Sequence, residues 1–263
     1  MAFKFEWVKK NDGFDPNPAT PWLMVPSDGY KEVALPGLKN SLTNFTWTCS
    51  GDIGWAPSGG DKLFIFGNKK TGLFRLEARN AAGEVAKLDV SVKKRWTYVI
   101  QAFVLHHAGG HVSKRSFGSV GRLVREANEV LGPQTNQYFW LAPDLQELHM
   151  SENFGAVITN KEHTLVAIEA AQACWDREVI PLVLIKELTL PGPYSDVEAN
   201  AYLDVIVIED DISKDTYVLP HELGHFFSLL HTSNKNGLMH KTSPRGSKLY
   251  KSEINKMNHT GTW

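Results

Sequence analysis

The segment spanning residues 217–240, YVLPHELGHFFSLLHTSNKNGLMH, constrains the fold more than any other stretch of the chain. Pro220 stands where a helix begins, since its missing N–H costs nothing in a first turn. His221 and His225 are four apart, so they stack on one face of that helix, about 6 Å apart in rise. Leu219, Leu223, Phe226, Phe227 and Leu230 supply an apolar side that buries the helix against a core. His231 comes ten residues after His221. On a straight helix it would point about 80° away from His221 and lie ~15 Å along the axis, too far to meet it. The three histidines converge only if the helix stops and the chain doubles back.

Convergence matters chemically. Two neutral imidazoles at this spacing can hold one Zn2+, each through a nitrogen at roughly 2.0–2.1 Å. A third protein ligand leaves the ion one open position for water, whose pKa falls towards ~7. Glu222 neighbours the pair on the helix surface without sharing their stripe, so its carboxylate can reach that water rather than the metal. A carboxylate so placed accepts a proton as water attacks a carbonyl and can hand it to a leaving amine. The third ligand is His231 or else an acidic residue further on, for which Glu253 is the candidate.

Downstream, Asn236-Gly237-Leu238-Met239 reads as a turn followed by methionine. With His221, Glu222, His225 and His231, this resembles the metzincin clan of zinc metallopeptidases, whose signature is HExxHxxGxxH plus a Met-turn. The resemblance implies His221, His225 and His231 as ligands of one catalytic zinc, Glu222 as general base, and Met239 as a hydrophobic floor beneath the metal. It also implies an order of elements over most of 96–263: strand, long helix, strand, helix, strand, edge strand, strand, active-site helix. Tyr194 to Ala201 would precede or form the edge strand. One residue departs from the signature, because Ser228 stands where the clan has the glycine that lets the helix break. Glycine tolerates left-handed backbone angles, so serine must adopt a costly turn or the turn must be built differently.

Periodicity divides the chain into two expected domains, 1–95 and 96–263. The first carries turn residues at short intervals, among them Asp12-Gly13, Ser27-Asp28-Gly29, Pro36-Gly37 and Gly67-Asn68, and no helical stripe. Between the turns, Phe45–Cys49, Leu63–Phe66, Gly72–Arg79 and Val85–Val92 alternate as half-buried strands. Regular short strands with turns predict an all-β sandwich. The closing pair, GLFRLEARN and AAGEVAKLDVSV, resembles the last two strands of bacterial immunoglobulin-like modules. From Trp96 onward, Thr97–Leu105 predicts a strand, Ser119–Leu131 a helix ended by Gly132-Pro133, and Gln137–Leu141 a short strand. Thr164–Trp175 predicts a helix with Thr159 or Asn160 as its cap, and Val179–Ile185 and Asp204–Ile208 predict strands buried on both faces. Strands and helices alternating in this way predict an α/β architecture.

Other features narrow the function. Residues 1–95 hold 14 basic and 10 acidic side chains, a net +4, and residues 96–263 hold 14 and 19, a net −5. Neither part is basic enough for a nucleic-acid footprint. No stretch reaches the roughly 18 apolar residues of a membrane span. The N-terminal MAFKFEWVKKNDGF lacks the apolar core of a secretory signal, so the expectation is a protein cytoplasmic as made, with export by a signal-independent route left open. Cys49 and Cys174 fall in different expected domains and are read as free thiols. His106, His107 and His111 are read as part of a solvated loop, and His149, His163 and His259 as surface residues. Glu209, Asp210 and Asp211 are read as a solvated acidic run, with no calcium expected.

The residues favour a zinc-dependent endopeptidase acting on a protein or peptide. The immunoglobulin-like part would position the substrate or the enzyme, or meet a target or secretion-machinery partner. Two other readings stay open: a peptidoglycan-peptide hydrolase or antibacterial effector toxin using the same zinc site, and a binding or delivery protein with a degenerate peptidase domain.

Overall fold

The computed structural model describes residues 3–154, 158–174, 179–188, 199–202, 204–211 and 217–259. The chain is mostly β-sheet with some helices and forms two compact units. The continuous stretch of the first unit ends at Trp96, next to the expected boundary, and residues 131–136 and those from Leu249 onward also cluster with it.

Two sheets build the first unit. One runs β1–β4–β7–β6, from Glu6–Trp7 (β1), Tyr30–Ala34 (β4), Lys62–Gly67 (β7) and Ile53–Gly59 (β6). The other runs β2–β3–β9–β8–β5, from Phe14–Asp15 (β2), Trp22–Pro26 (β3), Val85–Lys93 (β9), Gly72–Asn80 (β8) and Phe45–Cys49 (β5). Alternation explains how they meet: Phe74, Leu76 and Ala78 of β8 and Ala86, Leu88 and Val90 of β9 share one core with Val33, Leu63 and Ile65 of the other sheet. Strand β3 pairs in parallel with β9, whereas β8 pairs antiparallel with both β9 and β5.

The later segments join this unit through polar contacts. Lys31 Nζ donates to the carbonyl of Pro133 at 2.7 Å, and Asn136 Nδ2 donates to the carbonyl of Lys93 at 3.0 Å. The backbone N–H of Lys251, the first residue of helix α4 (Lys251–His259), donates to Asp15 Oδ2 at 3.0 Å. That carboxylate satisfies one of the donors left open at a helix start.

A five-stranded sheet forms the second unit, in the order β11–β10–β12–β14–β13: Gln137–Met150, Trp96–His107, Val179–Leu184, Val205–Ile208 and Ala199–Tyr202. Strands β10, β12 and β14 are parallel, and β13 closes the edge antiparallel to β14. Expected edge residues 194–198 lie outside the described residues. Every residue of β14 is buried, as is all of β12 beyond Val179, so both faces of these strands are covered. Helix α2 (Asn160–Ala173) places Val166, Ala167 and Ala170 in a core with Phe103, Val183, Val205 and Val207.

Several expectations need correction. The helix expected to stop at Gly132-Pro133 runs through Pro133 as α1 (Phe117–Thr135). Proline near a helix end forgoes only one late hydrogen bond. The stop falls at Asn136, whose φ of 58° is left-handed and whose N–H bonds the carbonyl of Gly132 at 2.9 Å. Strand β11 continues well beyond Leu141, because a proline such as Pro143 is tolerated on an edge strand. His106 and His107 end β10 rather than sitting in a solvated loop. His107 is buried because its Nδ1 accepts the N–H groups of Gly109 (3.1 Å) and Phe154 (3.4 Å), and burial lowers its pKa.

His163 is also buried, not a surface residue. It lies on the same stripe of α2 as Val166, Ala167 and Ala170, at offsets of three, four and seven. Of the expected caps for α2 it is Thr159 that precedes the helix, and its backbone N–H donates to the Glu162 carboxylate at 2.8 Å. His149 is exposed and bonds Glu147 at 2.8 Å. Cys49 is half-buried and Cys174 buried, and neither forms a disulfide among the described residues. No helix among the described residues is long and apolar enough to cross a membrane.

Candidate metal centre

Helix α3 (Val218–Phe226) carries His221, Glu222 and His225. Its cap is Tyr217, in the left-handed region at φ 62°, and its first backbone bond runs from the N–H of His221 to the carbonyl of Tyr217 at 3.1 Å. Pro220 falls in the first turn, where no intrahelical N–H is required. Val218, Leu219 and Leu223 are fully buried, as is Phe227 just beyond the helix, which packs its ring 5.1 Å from Tyr98 and 6.3 Å from Phe139. Leu230 was expected on this apolar side. It is 79% exposed because the helix has already ended.

That ending is made by Ser228, at φ 63°. The N–H of Leu229 reaches back to the carbonyl of Gly224 at 2.9 Å, and the N–H of Ser228 to the carbonyl of His225 at 2.7 Å. These two bonds are the 6→1 and 5→2 pair of a Schellman termination, formed here around a serine. A left-handed L-residue costs about 1–2 kcal/mol, and glycine would relieve this at an entropic cost of about 0.5–1. Ser228→Gly is therefore expected to stabilise the protein by about 0.5–1 kcal/mol, read as a higher denaturation midpoint. A lowered midpoint would show that the serine hydroxyl outweighs the backbone strain.

The turn brings the chain back so that His231 meets the helix. The Nε2 atoms of His221, His225 and His231 stand 3.0–3.3 Å from one another. They form the one group of three potential ligand residues among the described residues. Two carbonyls fix the rings: Leu238 O lies 2.8 Å from His221 Nδ1, and Leu229 O lies 2.9 Å from His225 Nδ1. A carbonyl can only accept, so each Nδ1 holds the proton and each Nε2 presents a lone pair. Two acceptors then face each other at 3.1 Å, an arrangement that a shared cation stabilises. Tetrahedral donors at zinc–nitrogen distances of roughly 2.0–2.1 Å sit about 3.3 Å apart, so the donor set fits such an ion.

Electrostatics keep the imidazoles neutral. Burial, then the charges of Arg245 and His225, push the pKa of His221 down to about 2, against the raising effect of the Leu238 carbonyl. Burial first, with Arg245 adding to it, also lowers His225. For His231, burial followed by His225, Arg245, Lys241 and His240 brings the value to about 4. Neutral imidazole is the form that binds a metal.

Met239 is fully buried. A Cβ at Gly224 would collide with its Sδ and come within 3.1 Å of its Cε, so this glycine is what lets the methionine lie close against the helix between the two histidines. The turn before it is built by Asn234, whose carbonyl and Oδ1 accept the N–H groups of Gly237 (2.9 Å) and Asn236 (3.0 Å). The N–H of Thr232 bonds the carbonyl of Met239 at 2.8 Å, tying the residue after His231 to this turn. Glu222 is buried beside the ligand pair, only 5% exposed, and stands outside the three-histidine cluster.

Glu253, the alternative third ligand, is placed elsewhere. Its carboxylate accepts the N–H of Tyr250 at 2.7 Å and so caps α4 in the first unit. His240 turns its Nδ1 to the carbonyl of Thr242 at 3.0 Å. The acidic run is likewise engaged by protein groups. Glu209 accepts the N–H of Leu188 at 2.8 Å, and Asp210 accepts Ser113 Oγ at 2.5 Å and the N–H of Lys114 at 2.9 Å.

Spacing alone pointed to the histidines, whereas the carbonyls of Leu229 and Leu238, Gly224 and the charge of Arg245 were missed. Backbone carbonyls carry no residue-type signal. The glycine inside HELGH was the visible clue to close packing.

No protein-family profile matches the chain, and no curated protein matches it. Among solved structures it is similar to a sialyltransferase from Photobacterium damsela, at 8% identity over 66% of this chain and 36% of that one, with a TM-score of 0.25. It is also similar to a 2,6-sialyltransferase from Photobacterium sp., at 10% identity with the same coverages and a TM-score of 0.21. The chain thus spans about a third of the length of these proteins.

Proposed function

We propose that the protein is a zinc-dependent endopeptidase, with a metzincin-like second domain preceded by an immunoglobulin-like β-sandwich. The observation that carries this reading is the convergence of three neutral imidazoles, two of them fixed by carbonyls to present Nε2. His221, His225 and His231 would hold one zinc ion, and Met239 would form the floor against Gly224. When bound, the ion supplies Lewis acidity, acidifying water and polarising a substrate carbonyl. Glu222 takes the proton from the attacking water and delivers it to the leaving amine. Its near-complete burial keeps competing solvent from the carboxylate. Ser228, the one departure from the clan signature, adopts a left-handed turn where the clan has glycine, which supports this reading.

The test is elemental analysis of purified protein together with cleavage of an unfolded casein-type substrate. The expected outcome is about one zinc per chain, with activity lost on chelation and restored by zinc. Protein that folds without chelator yet carries no metal overturns the reading. An altered muropeptide profile after incubation with cell walls, with casein left intact, would instead favour peptidoglycan stems as substrate.

A further inference from the structure

In the first unit, the ends of β8 and β9, the first residue of β10 and helix α4 line an open cavity of about 550 Å3. Its polar lining is Thr71, Ser91, Lys93, Lys94, Lys251, Asn255 and Asn258, with Trp96 beside them and no Asp or Glu. Among the described residues, none of the three lysines belongs to an ion pair. Lys93 is half-buried, so its ammonium has surrendered part of its hydration without a protein counter-ion. Lys94 Nζ sits 5.1 Å from the centre of the Trp96 ring, which holds a cation beside an aromatic face. Asn258 donates to the carbonyl of Ile254 at 2.9 Å, while its Oδ1 is buried without a hydrogen-bond donor among the described residues.

We propose that this cavity binds an anionic saccharide, with the lysines meeting its oxyanion and the Asn255 amide its hydroxyls. Charge complementarity carries the first half of the assignment. Three cations and no acid on one concave surface favour a carboxylate or phosphate, and a desolvated ammonium gains most from pairing with one. The second half rests on the remaining lining. The Asn255 amide, which donates and accepts, suits hydroxyl groups, and Trp96 with the exposed Leu73 offers an apolar face to a ring. The volume lies within the roughly 300–1,000 Å3 of small-molecule sites. The cations ring a cavity rather than track a stripe, which suits one or two sugar units better than an extended nucleic acid. The proposal is independent of the metal centre.

Calorimetric titration of the full chain tests it, using oligogalacturonate, a phosphorylated sugar oligomer, neutral dextran oligomers and a poly-glutamate peptide of matched charge. At least one anionic saccharide is expected to bind, and which one does separates carboxylate from phosphate as the source. Binding should weaken with salt, dextran should not bind, and the peptide should bind about tenfold more weakly or worse. The double variant Lys93→Gln/Lys251→Gln is expected to lose about tenfold in affinity or more, with an unchanged unfolding midpoint and zinc content. Should that variant unfold early, Lys94→Gln provides the same readout. Equal affinity for the peptide, native affinity in a folded lysine variant, or no binding of either anionic saccharide overturns the proposal.

Discussion

Replacing Glu222 by glutamine is expected to slow peptide-bond cleavage by about 10²–10⁴-fold while leaving zinc at one ion per chain. The two side chains have nearly the same shape, so the packing that leaves Glu222 only 5% exposed is kept. The amide oxygen can still accept a hydrogen bond, but it is far too weak a base to take a proton from water. His221 and His225 keep their carbonyl partners, since Leu238 and Leu229 are untouched by the change. Metal analysis and steady-state cleavage on the same preparation separate the outcomes. Retained cleavage would remove Glu222 from the role of base. Loss of zinc along with cleavage would mean that the residue supports the ligand set instead. An equivalent His225→Gln change should fail the other way, losing metal first and activity as a consequence.

How much of this was legible beforehand follows from where each signal resides. Alternation marks strands that bury one face, which is why β5 and β9 coincide with the expected segments almost residue for residue. The two-residue strands β1 and β2 carry no period at all. They exist because Glu6 and Trp7 pair with Ala34 and Val33, and Phe14 and Asp15 with Leu23 and Trp22, distances along the chain that a local pattern does not encode. Gly132-Pro133 has the composition of a stop, yet Asn136 provides the backbone angle that ends α1.

At the candidate metal centre the spacing of His221, His225 and His231 was visible, and so was the problem posed by Ser228. Its solution was not, because any residue can be driven to a positive φ when two hydrogen bonds and a buried neighbour such as Phe227 reward it. His163 is the opposite case. Its offsets from Val166, Ala167 and Ala170 placed it on the buried stripe, and only the general preference of histidine for surfaces argued otherwise.

That burial adds its own part to the pH response expected of the second unit. His163 is 1% exposed, and desolvation holds its pKa at about 4 rather than the ordinary 6.5. The folded state therefore keeps the ring neutral at pH values where the unfolded chain already protonates it. Between pH 6.5 and about 4 the unfolded state binds more protons, so stability falls as pH falls. Above 6.5 both states are neutral and this residue contributes no slope; below about 4 both are charged and the loss is complete. At about 1.36 kcal/mol per pH unit, the whole effect is on the order of 3 kcal/mol, a large share of the stability of an ordinary domain. Carboxylates titrate over part of the same range, so the informative quantity is the difference between the native chain and His163→Gln, whose side chain is uncharged at every pH. Denaturation midpoints at fixed zinc, measured from pH 4 to 7.5, should converge on a shallower slope for the variant. Parallel curves for the two proteins would mean that another group, and not the buried imidazole on α2, governs acid unfolding.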